Sequence, residues 1–264
     1  MRVVCASICY RGYADDEVSA TLEHAPRIGY RYMEVHGPMT GSPAALDTFD
    51  LQGFRSDLDR AGMSCVGIYP PCWGGPDEPT AREHAAAIAQ AVRYVAELGG
   101  DHVSTTGGSA RGEPGAIERV ILCVREALER IPQSCDVRLT LEPHLGNVLE
   151  QEEDFEEVLA AVRDQRVGIC VDTGHFHSAR VDTVRLIQRH APRIFAVHLK
   201  DHIGATSVGI GRGEIDLASI VTALRTVNYA GDLTVELEVD DPENLPRYTA
   251  EAYTYVNGLL NQKL

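Results

Sequence analysis

The sequence predicts an α/β protein, a single (β/α)8 barrel running over residues 1–264. Three observations carry that expectation. Short segments rich in β-branched residues alternate without a break with segments of helical period, eight of each, which is the pattern of a parallel sheet closed on itself. The length of 264 residues lies near the roughly 250 usual for such a barrel. The turn after the first strand, "CYRGYADDE", carries neither GxGxxG nor a Walker A pattern. An open doubly wound sheet, the alternative architecture, would normally show such a phosphate turn.

The elements follow in order. The first strand is "RVVCASI" (2–8). The short apolar run with one early Arg lacks a full hydrophobic region and cleavage site, so it reads as a strand rather than a leader. "YRYMEVH" (30–36) and "MSCVGIY" (63–69) are the next two. "PPCWGGPDEP" (70–79) reads as a long βα loop and the best lid candidate. Helix "EHAAAIAQAVRYVAEL" (83–98), strand "DHVSTT" (101–106) and helix "AIERVILCVREALERI" (116–131) follow. Then come strand "VRLTLE" (137–142), an acid-led helix (152–164), strand "RVGICVD" (166–172) and a helix over 181–190. Strand "RIFAVHL" (193–199), helix 216–227, strand "DLTVELE" (232–238) and helix 243–260 complete the chain. No Pro/Gly/Ser-rich linker divides it.

Composition narrows the function. With 44% apolar residues the chain can build a sizeable core. Lys and Arg total 24 against 39 Asp and Glu, a formal charge of −15. Such a surface repels phosphate backbones, which argues against nucleic acid or anionic membranes as partners. The seven cysteines are scattered, odd in number and without a CxxC, as expected of reduced thiols in a cytoplasmic protein. No apolar run approaches about 18 residues.

Strand parity locates the chemistry. Side chains alternate along a strand, so Val137, Leu139 and Leu141 share one face and Arg138, Thr140 and Glu142 the other. The same alternation sets Asp172, His198 and Glu236 on the inward faces of the next three strands, at their C-terminal ends, where barrels build sites. The four residues lie 30, 26 and 38 positions apart, about one βα unit each. Three carboxylates meeting in one mouth repel one another. One divalent cation resolves that conflict, and three oxygens plus an imidazole suit Mn²⁺, Mg²⁺, Co²⁺ or Zn²⁺, among which geometry decides. Glu34 and His36 end the second strand on its inward face and are candidate pocket residues. So are His144, two after Glu142, and Lys200, which shares parity with His198. Trp73, the only Trp, stands in the lid loop, where a sugar ring could stack on it. His177 and Glu238 are read as lying outside the ligand set.

The motifs "LEPH", "VDTGH", "HLKD", "GRGEID" and "VEL", in this order, resemble those of the sugar phosphate isomerase/epimerase superfamily, the xylose isomerase-like TIM barrels. That group includes ketose 3-epimerases, hydroxypyruvate isomerases, inosose isomerases and dehydratases, and endonuclease IV. The resemblance makes Glu142, Asp172, His198 and Glu236 the metal ligands and Glu142 and Glu236 also the acid/base pair. It sets His175 and Arg212 against a small carbohydrate substrate. It implies a cation that gathers a carbonyl and a neighbouring hydroxyl, and an enediolate that two glutamates protonate and deprotonate. The same enediolate can expel a β-hydroxyl, so a dehydratase acting on a keto-sugar or inosose is the alternative, and a non-catalytic, partner-dependent subunit a third. Endonuclease IV is similar in fold but needs a three-metal cluster with extra histidines, and the "DRH" expected after strand seven is absent: "HIGATSVGIGRGE" stands there. A homo-oligomer is compatible with the resemblance.

Overall fold

The computed structural model describes residues 1–37 and 39–262. Among the described residues ten strands are formed: β1 (Arg2–Ala6), β2 (Tyr32–Val35), β3 (Ser64–Ile68), β4 (His102–Thr106), β5 (Arg138–Glu142), β6 (Val167–Asp172), β7 (Ile194–Leu199), β8 (Asp201–Ile203), β9 (Thr206–Val208) and β10 (Asp232–Val235). All but β8 and β9 close into a parallel barrel in the order β1-β10-β7-β6-β5-β4-β3-β2. The eight expected strands are therefore the eight barrel strands, each trimmed by one or more residues. The helices are α1 (Glu17–Ile28), α2 (Pro43–Asp47), α3 (Leu51–Ala61), α4 (Glu78–Leu98), α5 (Ala116–Arg130), α6 (Glu152–Val162), α7 (Thr173–Ser178), α8 (Thr183–His190), α9 (Leu217–Thr226) and α10 (Leu245–Asn261).

The helix starts follow from capping. Asp16, Asp50, Asp77, Asp182 and Asp216 each accept an N–H from the first turn of α1, α3, α4, α8 and α9. Asp77 explains why α4 begins at Glu78, five residues before the expected start. Its carboxylate takes the Thr80 N–H at 2.9 Å. Pro79 then sits in the first turn, where a missing N–H leaves no bond unmade.

That early start shortens the lid candidate, and what remains is pinned. The Trp73 N–H donates to Thr106 O at 2.8 Å, and Gly108 N–H donates back to Trp73 O at 2.7 Å. The loop is thus a one-residue continuation of the sheet, not a free flap. A second difference is the antiparallel hairpin β8–β9, which replaces a plain βα loop after β7. Gly204 turns it with a φ of 58°, in the left-handed region that favours glycine. Among the described residues no helix is long and apolar enough to cross a membrane.

Candidate metal centre

Register assembles the candidate ligand set. Asp172 of β6 pairs with His198 of β7, and His198 also pairs with Thr234 of β10. Glu236 stands two residues beyond Thr234, where its own N–H still donates to Leu199 O at 3.1 Å. Although β10 ends at Val235, the ladder therefore carries Glu236 one bond further, to the mouth. Glu142 closes β5. Ligand atoms of Glu142, Asp172, His198 and Glu236 lie within 4.8 Å of one another, and all four residues are buried. His198 Nδ1 is central, 2.5 Å from Glu142 Oε1 and 2.9 Å from Glu236 Oε2.

Three carboxylates cannot share a dry pocket uncompensated. Lys200 supplies one cation: its Nζ lies 3.0 Å from Glu236, 3.3 Å from Asp172 and 2.6 Å from Glu238. Burial works to raise both Asp172 and Glu236, but Lys200 wins at each and holds them below the usual range. Glu142 lies elsewhere in the cluster, and burial pushes it up. Compensation is still incomplete. Asp172 Oδ2 and Glu236 Oε2 are buried without a hydrogen-bond partner. Orphaned oxygens in a set of three carboxylates and one imidazole fit a hard or borderline divalent ion.

His175 lies beside this set. Its backbone N–H donates to Asp172 Oδ1 at 2.8 Å, so Asp172 is also the N-cap of α7. Its Nε2 faces Lys200 Nζ at 3.2 Å. An ammonium only donates, so Nε2 accepts and the ring proton sits on Nδ1. Burial, with Lys200 nearby, lowers this imidazole to about 4 and keeps it neutral. His144 is exposed at the rim, its ring 4.1 Å from that of His175. It borders a cleft of about 370 Å³ flanked by Cys72, Thr106, Ser109 and Asn147. His36 stacks on Tyr69 at 4.7 Å and lies 5.6 Å from the His198 ring.

Four expectations from sequence need correction. Trp73 has no exposed surface, and its indole N–H donates to Thr140 O at 2.9 Å, so it anchors the loop and offers no stacking face. Arg212 turns outward. It stacks on Tyr248 at 4.8 Å and pairs with Glu251 of α10 at 2.6 Å. The surrounding glycine-rich backbone is also engaged, because Gly211 and Gly213 N–H donate to Asp201 at 2.9 and 2.8 Å. Glu34 does not face the pocket: it is fully buried beneath His198. Lys200 is engaged with the carboxylates and His175 rather than directed at a substrate. His177 lies against Glu214 and Glu238 against Lys200.

Sequence reasoning gave no role to four neighbours of these residues. His102 shares its face with Ser104 and Thr106, and Tyr69 with Cys65 and Gly67. Cys170 precedes Asp172 by two, and its thiol sits against His198. His202 follows Lys200 by two. Its Nδ1 is 2.9 Å from Ser178 Oγ, while its Nε2 is buried without a partner. Gly174 makes room for it, since a Cβ there would come 2.5 Å from His202 Nε2.

Residues 22–256 match the family model of the xylose isomerase-like TIM barrel. The chain belongs to that family. This member is 29% identical to the inosose dehydratase of Geobacillus kaustophilus, over 96% of its own length and 89% of that enzyme's. It is 33% identical to the rhizopine catabolism protein MocC of Rhizobium meliloti over 129 residues, 42% of this chain but only 39% of that protein. Its fold superposes on the zinc-containing IolI protein with a TM-score of 0.79 and 17% identity, covering 98% of both chains. It superposes equally, at 0.79 and 13% identity, on Methylomonas sp. D-allulose 3-epimerase in complex with D-allulose, covering 98% of this chain and 96% of that one. At such identities the likeness to these two structures is one of fold alone.

Proposed function

We propose that this chain is a divalent-metal-dependent isomerase or epimerase of a ketose or related carbohydrate. The observation that carries the reading is the placement of its two glutamates. Glu142 ends β5 and Glu236 follows β10, and in barrel order these strands flank the pair β6–β7. The two carboxylates thus meet from opposite sides at His198 Nδ1, 2.5 and 2.9 Å away. Glu142, Asp172, His198 and Glu236 would hold the cation, which when bound polarises a substrate carbonyl and acidifies the C–H beside it.

The chain's own groups do the rest. One glutamate takes the proton from that carbon. The other returns a proton to the opposite face for epimerisation, or to the adjacent carbon for isomerisation. Lys200 keeps Glu236 ionised, as a base requires, whereas burial keeps Glu142 nearer its protonated form; groups driven apart in this way suit opposite roles. Neutral His175, with a proton on Nδ1, is available to a substrate hydroxyl. The cleft beside His144 carries Thr106, Ser109 and Asn147, which would offer polar groups to a small polyol.

A second reading is favoured by one specific observation, the similarity to inosose dehydratase over nearly the whole chain. Here the same proton abstraction is followed by loss of a β-hydroxyl as water. A panel of ketoses, inososes and hydroxypyruvate in D₂O with Mn²⁺ separates the two. Product that keeps its mass apart from deuterium at one carbon supports epimerase or isomerase. Product short by one water supports the lyase. No exchange and no product with any panel member overturns both.

A further inference from the structure

We propose that Glu34 is a positioning residue for the metal-binding imidazole, holding the His198 ring from beneath while His102 holds Glu34. The inference rests on the metal-dependent reading above, but it concerns residues outside the ligand set.

A fully buried carboxylate normally sits beside Lys or Arg. Glu34 instead sits among three imidazoles. Its Oε2 accepts from His198 Nε2 at 3.1 Å and faces His102 Nε2 at 3.4 Å. Its Oε1 faces His36 Nε2 at 3.5 Å. Thr234, paired with His198 in the β10–β7 register, donates its hydroxyl to the same Oε2 at 3.1 Å. The sheet makes room for this arrangement. At Gly67 of β3 a Cβ would lie 2.6 Å from His102 Nε2, so any larger residue would displace that ring. His102 is fixed at its far end, Nδ1 lying 2.6 Å from Asp101 Oδ1. A line of close contacts therefore runs Asp101, His102, Glu34, His198 and to the candidate ligand carboxylates, its His102–Glu34 step an ion-pair contact rather than a hydrogen bond.

The consequence for His198 is geometric. With Nε2–H donating to Glu34, the ring cannot turn about its Cβ–Cγ bond without losing that bond to a buried carboxylate. Nδ1 is then the nitrogen left facing Glu142 and Glu236, where a cation would take its lone pair. Such partners of a ligating His typically account for about 10–100-fold in metal affinity. Plain core packing at Glu34 would not require an ionisable side chain or a glycine opposite His102.

The test is calorimetric titration of Mn²⁺ into the full chain and into Glu34→Gln, with ¹⁵N chemical shifts reporting the His198 tautomer in the chain loaded with diamagnetic Zn²⁺. Glu34→Gln keeps the shape but loses the charge. It is expected to weaken Mn²⁺ binding about 10–100-fold and to mix the His198 tautomers. Should it not fold, His102→Leu, which leaves Glu34 in place, carries the same test with a smaller loss. Unchanged tautomer and Mn²⁺ affinity within about twofold of wild type in the folded variant overturn the inference alone. A wild-type chain that binds no Mn²⁺ overturns the functional reading and this inference with it.

Discussion

Each end of the barrel gathers acids, a histidine and a cation, yet the two clusters are built differently. At the floor, Asp101, His102 and Asp232 come together around Arg2. Arg2 Nε and Nη2 grip both oxygens of Asp232 at 2.6 and 2.7 Å, Nη2 also reaches Asp101 at 3.1 Å, and Asp101 takes His102 Nδ1. Every carboxylate oxygen there has a partner. At the mouth, Glu142, Asp172 and Glu236 share His198 and Lys200, and two buried oxygens have none. Similar residues thus make a structural clamp with every carboxylate oxygen paired at one end and a candidate ligand set with two unpaired carboxylate oxygens at the other. Satisfaction of the carboxylate oxygens, not composition, separates the two.

The largest test of that contrast is catalytic. Glu142→Gln or Glu236→Gln should lower turnover by about 10²–10⁴, read as deuterium exchange at the reacting carbon. Asp232→Asn, at the floor, should leave exchange close to wild type and lower only the melting temperature. A Glu142→Gln chain that exchanges at the full rate would remove the mouth's special status.

Next in size is the removal of the mouth's cation. Lys200→Met leaves buried carboxylates unpaired and should cost about 3–5 kcal/mol in metal-free urea unfolding. Added Mn²⁺ should recover much of that loss, because it compensates the same oxygens. A loss that Mn²⁺ does not touch would mean that Lys200 only packs.

The floor has its own pH signature. Burial works against charge on His102, but Glu34 and Asp101 raise its pKa from 6.5 to about 10. A raised folded pKa means that the folded chain binds more protons than the unfolded one. The stabilisation is therefore full below about pH 6.5 and lost as pH rises toward 10, in total on the order of a few kcal/mol. His102→Leu should remove that slope from stability measured between pH 6.5 and 10.

The smallest effect belongs to Arg212→Gln. Its exposed pair with Glu251 is worth about 0–1 kcal/mol. Exchange should change little, and a hundredfold loss would bring Arg212 back to the substrate.

Much of this was legible in the sequence because a barrel strand has a strict period of two. Parity alone sets Glu142, Asp172, His198 and Glu236 on inward faces, and they do converge. Parity gives a face but not a depth. Glu34 points inward as read, yet it lies below the ligand set, because register rather than alternation fixes height along the axis. Trp73 and Arg212 failed for another reason: both sit in loops, where no period applies. The partners that turn them away, Thr140 O and Glu251, are 67 and 39 residues distant in the chain. The hairpin β8–β9 and the early start of α4 depend on a single glycine turn and a single aspartate cap, signals too local for a reading of hydrophobic period.

The most direct test of the central claim is divalent-ion content of the purified chain by elemental analysis after loading with Mn²⁺, alongside Asp172→Asn and Asp232→Asn. The account predicts one ion per wild-type chain, retained when the floor is altered and lost when the mouth is altered. A wild-type chain that holds no ion and gains no thermal stability from Mn²⁺, or one that loses its ion through Asp232→Asn alone, would contradict it.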